Sequence, residues 1–136
     1  MAQIRPYTHA IDRLKSVKLR PTRQRIALAR LLLEGADRHV TAEQLHAEAL
    51  DANVKVSLAT VYNTLHQFTA AGLMREVMVE TGRSYFDTNT SDHYHFFEKD
   101  TGALSDIPPD SIQISALPTA PEDRKIDRVD IIVHLK

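Results

Sequence analysis

The stretch SLATVYNTLHQFTAAGL, from Ser57 to Leu73, has the spacing of a capped amphipathic helix. Ser57 is a favoured N-cap, because its hydroxyl accepts from a backbone N–H that the first helical turn leaves without a partner. Leu58, Val61, Tyr62, Leu65 and Phe68 recur at intervals of three and four, which places them on one apolar side. Thr60, Asn63, Thr64 and Gln67 gather on the other, a face with hydrogen-bonding groups and no formal charge. Gly72 supplies the stop, with Leu73 just beyond the cap. Amides and hydroxyls of this length reach base edges in a DNA major groove, and Asn or Gln suits the paired donor and acceptor of adenine. Tyr62 lies at the border of the two faces, so its ring packs while its hydroxyl reaches outward.

The neighbouring segments give this helix a setting. A first helix is predicted over about Tyr7–Val17, and a second opens at Pro21 and Thr22 and runs to a Gly35 stop. A third starts at the capping box Thr41-Ala-Glu-Gln44. After the fourth come two short runs, MREVMV and RSYFD, joined through Glu80, Thr81 and Gly82 as a hairpin. A helical cluster followed directly by a two-stranded ribbon is a winged helix-turn-helix, predicted to occupy residues 1–88. Arg83, at the tip of the ribbon, is placed to meet phosphate or the minor groove.

Residues 89–136 differ in character. HYHFFEKD, GALSDI, SIQIS and KIDRVDIIVHLK read as strands, interrupted by Pro108, Pro109, Pro118 and Pro121. Val129, Ile131, Val133 and Leu135 alternate, predicting a last strand with one buried face. The expected fold class is therefore α+β, with a small α/β or mostly β unit behind the winged helix. So short a unit buries little core, which predicts dimerisation with its own copy, with Phe96 and Phe97 in the dimer core.

Composition narrows the functions. The chain has 136 residues, 43% hydrophobic and 26% charged, and no apolar run long enough for a membrane span. The first residues lack the apolar core of an export signal, which predicts a cytoplasmic protein. The net charge of −1 hides an asymmetry. Residues 1–30 hold Arg5, Arg13, Lys15, Lys18, Arg20, Arg23, Arg25 and Arg30 against the single acid Asp12. Cations such as Lys18, Arg20 and Arg23 suit phosphates, while the uncharged face of the fourth helix suits bases. Cysteine is absent, which excludes disulfides, thiolate zinc sites and cysteine nucleophiles. H-E-x-x-H and G-x-S-x-G are absent too, which counts against the remaining alternative, a small metal-dependent hydrolase.

His93-Tyr94-His95 is the second informative motif, since on a strand residues two apart share a face. With His39 before the third helix and Asp87 closing the ribbon, it offers three imidazoles and a carboxylate, a set for iron, manganese or zinc. Haem, bound through an axial histidine, is the other expectation. His9, His46, His66 and His134 receive no role.

These residues carry a resemblance to the ferric uptake regulator family of dimeric metalloregulators over nearly the whole chain. The matching runs are LRPTRQRIALARLL, HVTAE from His39, SLATVY from Ser57, AGL from Ala71, YFD from Tyr85, HYH from His93, and Thr101-Gly102. The resemblance implies a metal held by His39, Asp87, His93 or His95, and Asp106. It also implies a departure, because the positions of the family's C-x-x-C-G zinc motif are Glu98, Thr101 and Gly102 here, so no structural zinc held by cysteines is expected. A second family cluster is eroded as well, with Asp92, Tyr94 and Ile131 at its positions. Cysteine loss, the H-x-H and Asn63 after Tyr62 look like the iron response regulator branch, which implies haem at His93 and His95. The expected function is a homodimeric transcriptional regulator of iron and haem homeostasis that reads a palindromic operator in double-stranded DNA under haem or iron control. The alternative is a manganese or ferrous-iron sensor.

Overall fold

The computed structural model describes the backbone from Pro6 to Lys136 and side chains from His9 onward, so Arg5 lies outside the described residues. The chain divides into two compact units, Met1–Thr90 and Ser91–Lys136.

The first unit contains α1 (Pro6–Ser16), α2 (Arg23–Leu33), β1 (His39–Val40), α3 (Ala42–Asp51), α4 (Leu58–Ala70), β2 (Arg75–Glu80) and β3 (Arg83–Asp87). Local chemistry sets the helix starts. Thr22, Thr41 and Ser57 each sit in extended backbone and accept from the N–H three residues on, at Arg25, Gln44 and Thr60. Gln44 Oε1 also accepts the Thr41 N–H at 2.9 Å, completing the capping box. At the far end of α4, Leu73 N–H reaches Phe68 O at 2.9 Å and Gly72 takes a φ of 87°, where a Cβ would be strained.

The wing is a three-stranded antiparallel sheet in the order β1-β3-β2. The expected hairpin is β2 and β3, turning at Thr81-Gly82; the additional strand is His39–Val40, paired with Asp87 and Phe86. Two residues are too few to show strand periodicity in sequence. Arg38 anchors this strand. Its guanidinium donates to both Glu48 carboxylate oxygens, at 2.8 and 2.6 Å, and to the Leu31 carbonyl at 3.3 Å. That hydrogen bond to Glu48 raises the Arg38 pKa, and its counterpart holds the Glu48 carboxyl below the usual carboxylate range.

Leu14, Leu28, Leu32, Leu45, Val61, Leu65, Phe68 and Phe86 form the centre of the core beneath the helices. Full burial of each stabilises by about 1.5–3 kcal/mol. The buried stripe of α4 is Val61, Thr64, Leu65 and Phe68, which corrects one expectation from sequence. Thr64 falls inside the stripe, while Tyr62, 38% exposed, sits at its border. The spacing of 61, 64, 65 and 68 is itself a helical face, and threonine is small enough to fit between two apolar neighbours.

In the second unit, β4 (His95–Glu98), β5 (Ala103–Asp106) and β6 (Ile132–Leu135) form one sheet in the order β5-β4-β6. β5 is antiparallel to β4 and β6 is parallel to it, so β5 brings the chain back to the start of β4 and residues 107–131 carry it from one edge of the sheet to the other at that same end. That segment contains no helix or strand, so SIQIS is not the expected strand; residues 91–136 contain only strands as regular structure. Val129, Ile131 and Val133 are only half-buried and Leu135 is 42% exposed. The predicted buried face of the last strand is therefore incomplete, because one three-stranded layer has no second layer within this unit. Phe97 is a further correction. It is fully buried in its own chain, with the His134 ring edge-on at 5.9 Å, whereas Phe96 is half-buried. Among the described residues no helix is long and apolar enough to cross a membrane.

Candidate functional site

A groove of about 460 Å³ lies between the start of α2 and α4 in the first unit, lined by polar residues that include Arg20, Arg25, Thr60, Asn63 and Gln67. Asn63 and Gln67 are exposed and Thr60 is half-buried. Thr64 borders the groove but its hydroxyl donates to the Thr60 carbonyl at 2.8 Å, so it is committed to its own helix. Lys18, Arg20 and Arg23 are exposed around the α1–α2 connection. Lys18 closes α1 with a φ of 63°, the left-handed conformation glycine usually provides. Arg83 is half-buried beside the wing turn, where it pairs in register with Glu80.

Three partners of this face were not legible in sequence. Arg25 donates from Nε and Nη2 to Gln67 Oε1, at 3.2 and 3.1 Å, and from Nη1 to the Arg20 carbonyl at 3.0 Å. Tyr62 donates its hydroxyl to Glu43 Oε1 at 2.8 Å, and this hydrogen bond is the main reason its pKa is raised. His66 stacks on the Tyr62 ring at 6.4 Å and meets Phe86 edge-on at 5.4 Å, joining α4 to β3. The contacts of Arg25 with Gln67, Tyr62 with Glu43 and His66 with Phe86 join separate elements, beyond the reach of any helical or strand repeat. The only sequence signal was membership of the basic N-terminal cluster, which Arg25 shares.

The ligand-type residues form a group in each unit. In the first, His39 and Asp87 are register partners across β1 and β3. Asp87 is 1% exposed and its Oδ1 accepts the Asn89 N–H at 2.9 Å. The flanking residues are locked together: Thr88 Oγ1 accepts the Arg38 N–H and the Arg38 carbonyl accepts the Thr88 N–H, both at 2.9 Å.

In the second unit, His95 and Asp106 are register partners across β4 and β5. His93 precedes the strand, yet its ring lies 4.5 Å from that of His95, so the two imidazoles share a side as expected. Both aim Nε2 at Asp106 Oδ1, from 3.5 Å for His93 and 3.4 Å for His95. His93 Nδ1 lies 2.7 Å from the Ser91 carbonyl, and a carbonyl only accepts, so Nδ1 carries a proton. In the neutral ring Nε2 then presents a lone pair towards a carboxylate. That arrangement calls for a cation or a proton between them, and the second-atom hydrogen bond is how a metal-binding imidazole is oriented.

A model of the ferric uptake regulator family matches residues 16–134. The ferric uptake regulation protein of Shigella flexneri is 35% identical over 101 residues, covering 74% of this chain and 68% of that protein. Among solved structures, a Vibrio cholerae ferric uptake regulator aligns with a TM-score of 0.73 at 24% identity, over 93% of this chain and 98% of that one. The Pseudomonas aeruginosa regulator solved with manganese gives 0.69 at 22% identity, over 93% and 96%. At such identities these structural matches speak for the fold.

Proposed function

Because this chain belongs to the ferric uptake regulator family, we propose that it is a cytoplasmic, homodimeric transcriptional regulator, not an enzyme, whose binding to a palindromic DNA operator responds to a divalent metal ion. The observation that carries this is α4: a capped helix presenting uncharged hydrogen-bonding groups into an open groove, with exposed cations at the groove's end. Lys18, Arg20, Arg23 and Arg83 hold phosphates, while Thr60, Tyr62, Asn63 and Gln67 face bases. Two copies read two half-sites.

We carry over from the family resemblance the assignment of His39, Asp87, His93, His95 and Asp106 to one cation. Imidazole and carboxylate donors without thiolate suit ferrous iron, manganese or zinc. A bound ion supplies the positive charge that lets the Asp106 carboxylate and the imidazole lone pairs of His93 and His95 face one another. Asp87 ends β3, and the preceding Phe86 carries the edge-on His66 of α4, so ordering of Asp87 bears on the reading helix. Haem control, the narrower expectation from the iron response regulator branch, needs an imidazole open to a macrocycle. The side chains of His93 and His95 are 13% and 4% exposed, which favours an ion over haem.

The test is operator affinity, on duplexes selected from a random library, measured in chelator, manganese, ferrous iron and haemin. A metal-dependent change of roughly 5- to 150-fold is expected. Equal affinity in all four conditions would sink metal control, and a response to haemin alone would favour the haem branch. Lys18→Gly separates fold from function: relief of the left-handed strain is expected to stabilise the protein by roughly 1 kcal/mol. Loss of one phosphate contact is expected to reduce the salt slope of DNA binding by about one. Urea denaturation and salt-titrated binding check the two halves, and an unchanged salt slope removes Lys18 from the interface.

A further inference from the structure

Glutamine reads adenine by accepting from N6 with its carbonyl oxygen while donating to N7 with its amide. Gln67 does not have that oxygen available. Arginine has donors and no acceptor, so the Gln67 atom it faces is the oxygen, and two guanidinium N–H groups converge on it at 3.2 and 3.1 Å. The third contact, Nη1 to the Arg20 carbonyl at 3.0 Å, fixes the guanidinium from behind. Both lone pairs of the amide oxygen are thereby engaged, and the NH2 group is what the exposed end of Gln67 offers to the groove. A group with donors alone suits the O6 and N7 acceptors of guanine and leaves the N6 donor of adenine without a partner.

We propose that Arg25 is a positioning residue that makes Gln67 a reader of guanine instead of adenine. This rests on the DNA-reading role of α4 argued above, and extends it to a base and to a residue that sets the choice. Arg25 is half-buried in α2 and acts through Gln67, so its influence is confined to one operator position.

The experiment measures affinities for operators carrying each of the four bases at every half-site position. Wild type, Gln67→Ala, Arg25→Met, Arg25→Lys and the double variant Arg25→Met with Gln67→Ala are compared at one salt concentration. The Gln67 position is the one whose preference is lost in Gln67→Ala. There, wild type is expected to favour guanine over adenine by roughly 5- to 150-fold. Arg25→Met frees the amide oxygen and is expected to abolish or reverse that ratio, while the double variant should match Gln67→Ala and show no preference. Arg25→Lys keeps the positive charge without the planar fork and is expected to retain the salt slope while the guanine preference falls. It also serves if Arg25→Met proves poorly folded.

Three results overturn the proposal alone: guanine preference surviving in both Arg25 variants, adenine preferred by wild type at that position, or no position that depends on Gln67. An Arg25→Met variant that weakens all four bases equally marks Arg25 as a phosphate contact and has the same effect. Wild-type protein with no base preference anywhere would instead overturn the parent assignment of α4.

Discussion

Asp106→Ala is expected to lose on the order of 100-fold or more in affinity for manganese, since even supporting residues around a metal are worth 10- to 100-fold. Its Oδ1 is the atom on which both His93 Nε2 and His95 Nε2 converge. The Asp106 side chain is 52% exposed, so alanine costs little packing and the effect falls on binding. Asp87→Ala would be harder to interpret, because Asp87 is 1% exposed and its loss also removes the acceptor for the Asn89 N–H. Thermal unfolding gives a second readout. At a manganese concentration 100 times the wild-type dissociation constant, binding stabilises wild type by about 2.7 kcal/mol. The variant should gain only a few tenths at that concentration. Its DNA affinity should match that of wild type in chelator, with or without manganese. Unaltered manganese affinity, measured by calorimetric titration, would remove Asp106 from the ligand set.

That experiment concerns a residue no repeat pattern could have selected. Helix starts were legible because a cap is local chemistry: Thr22, Thr41 and Ser57 bond to N–H groups three residues away, and the spacing shows it. The H-x-H was legible for the same reason. Asp106 was named only through family resemblance, because its partnership with His95 depends on how β5 registers against β4. Arg25 with Gln67, and His66 with Phe86, depend likewise on how whole elements pack. The misplaced expectation on α4 has a different cause. Hydrophobicity alone ranks threonine among the exposed polar residues, whereas the helix face through Val61, Leu65 and Phe68 passes through position 64. In the second unit, alternation correctly indicated a strand but overstated its length and its burial, since a buried face needs a covering layer that residues 91–136 do not provide alone.

That shortage of covering layer makes the second unit sensitive to its centre. Phe97 is 0% exposed, and the other buried apolar side chains there, Leu104 and Ile107, are 9% and 6% exposed. Removal of a buried phenylalanine side chain typically costs about 3–5 kcal/mol. A whole domain commonly has only about 5–15 kcal/mol to lose, and units this short are at the low end. Phe97→Ala is therefore expected to unfold residues 91–136 while the first unit survives, because the core cluster joining α1 to α4 does not include Phe97. Limited proteolysis should leave a resistant fragment ending near residue 90, where the chain divides. If the strand unit also joins two copies, sedimentation should show monomers, and operator binding should fall as the second half-site loses its tether. A variant that remains protease-resistant through residue 136 would show that the unit is held together by something other than its own small core, and the obvious source is the surface of a second copy against the half-buried face of β6.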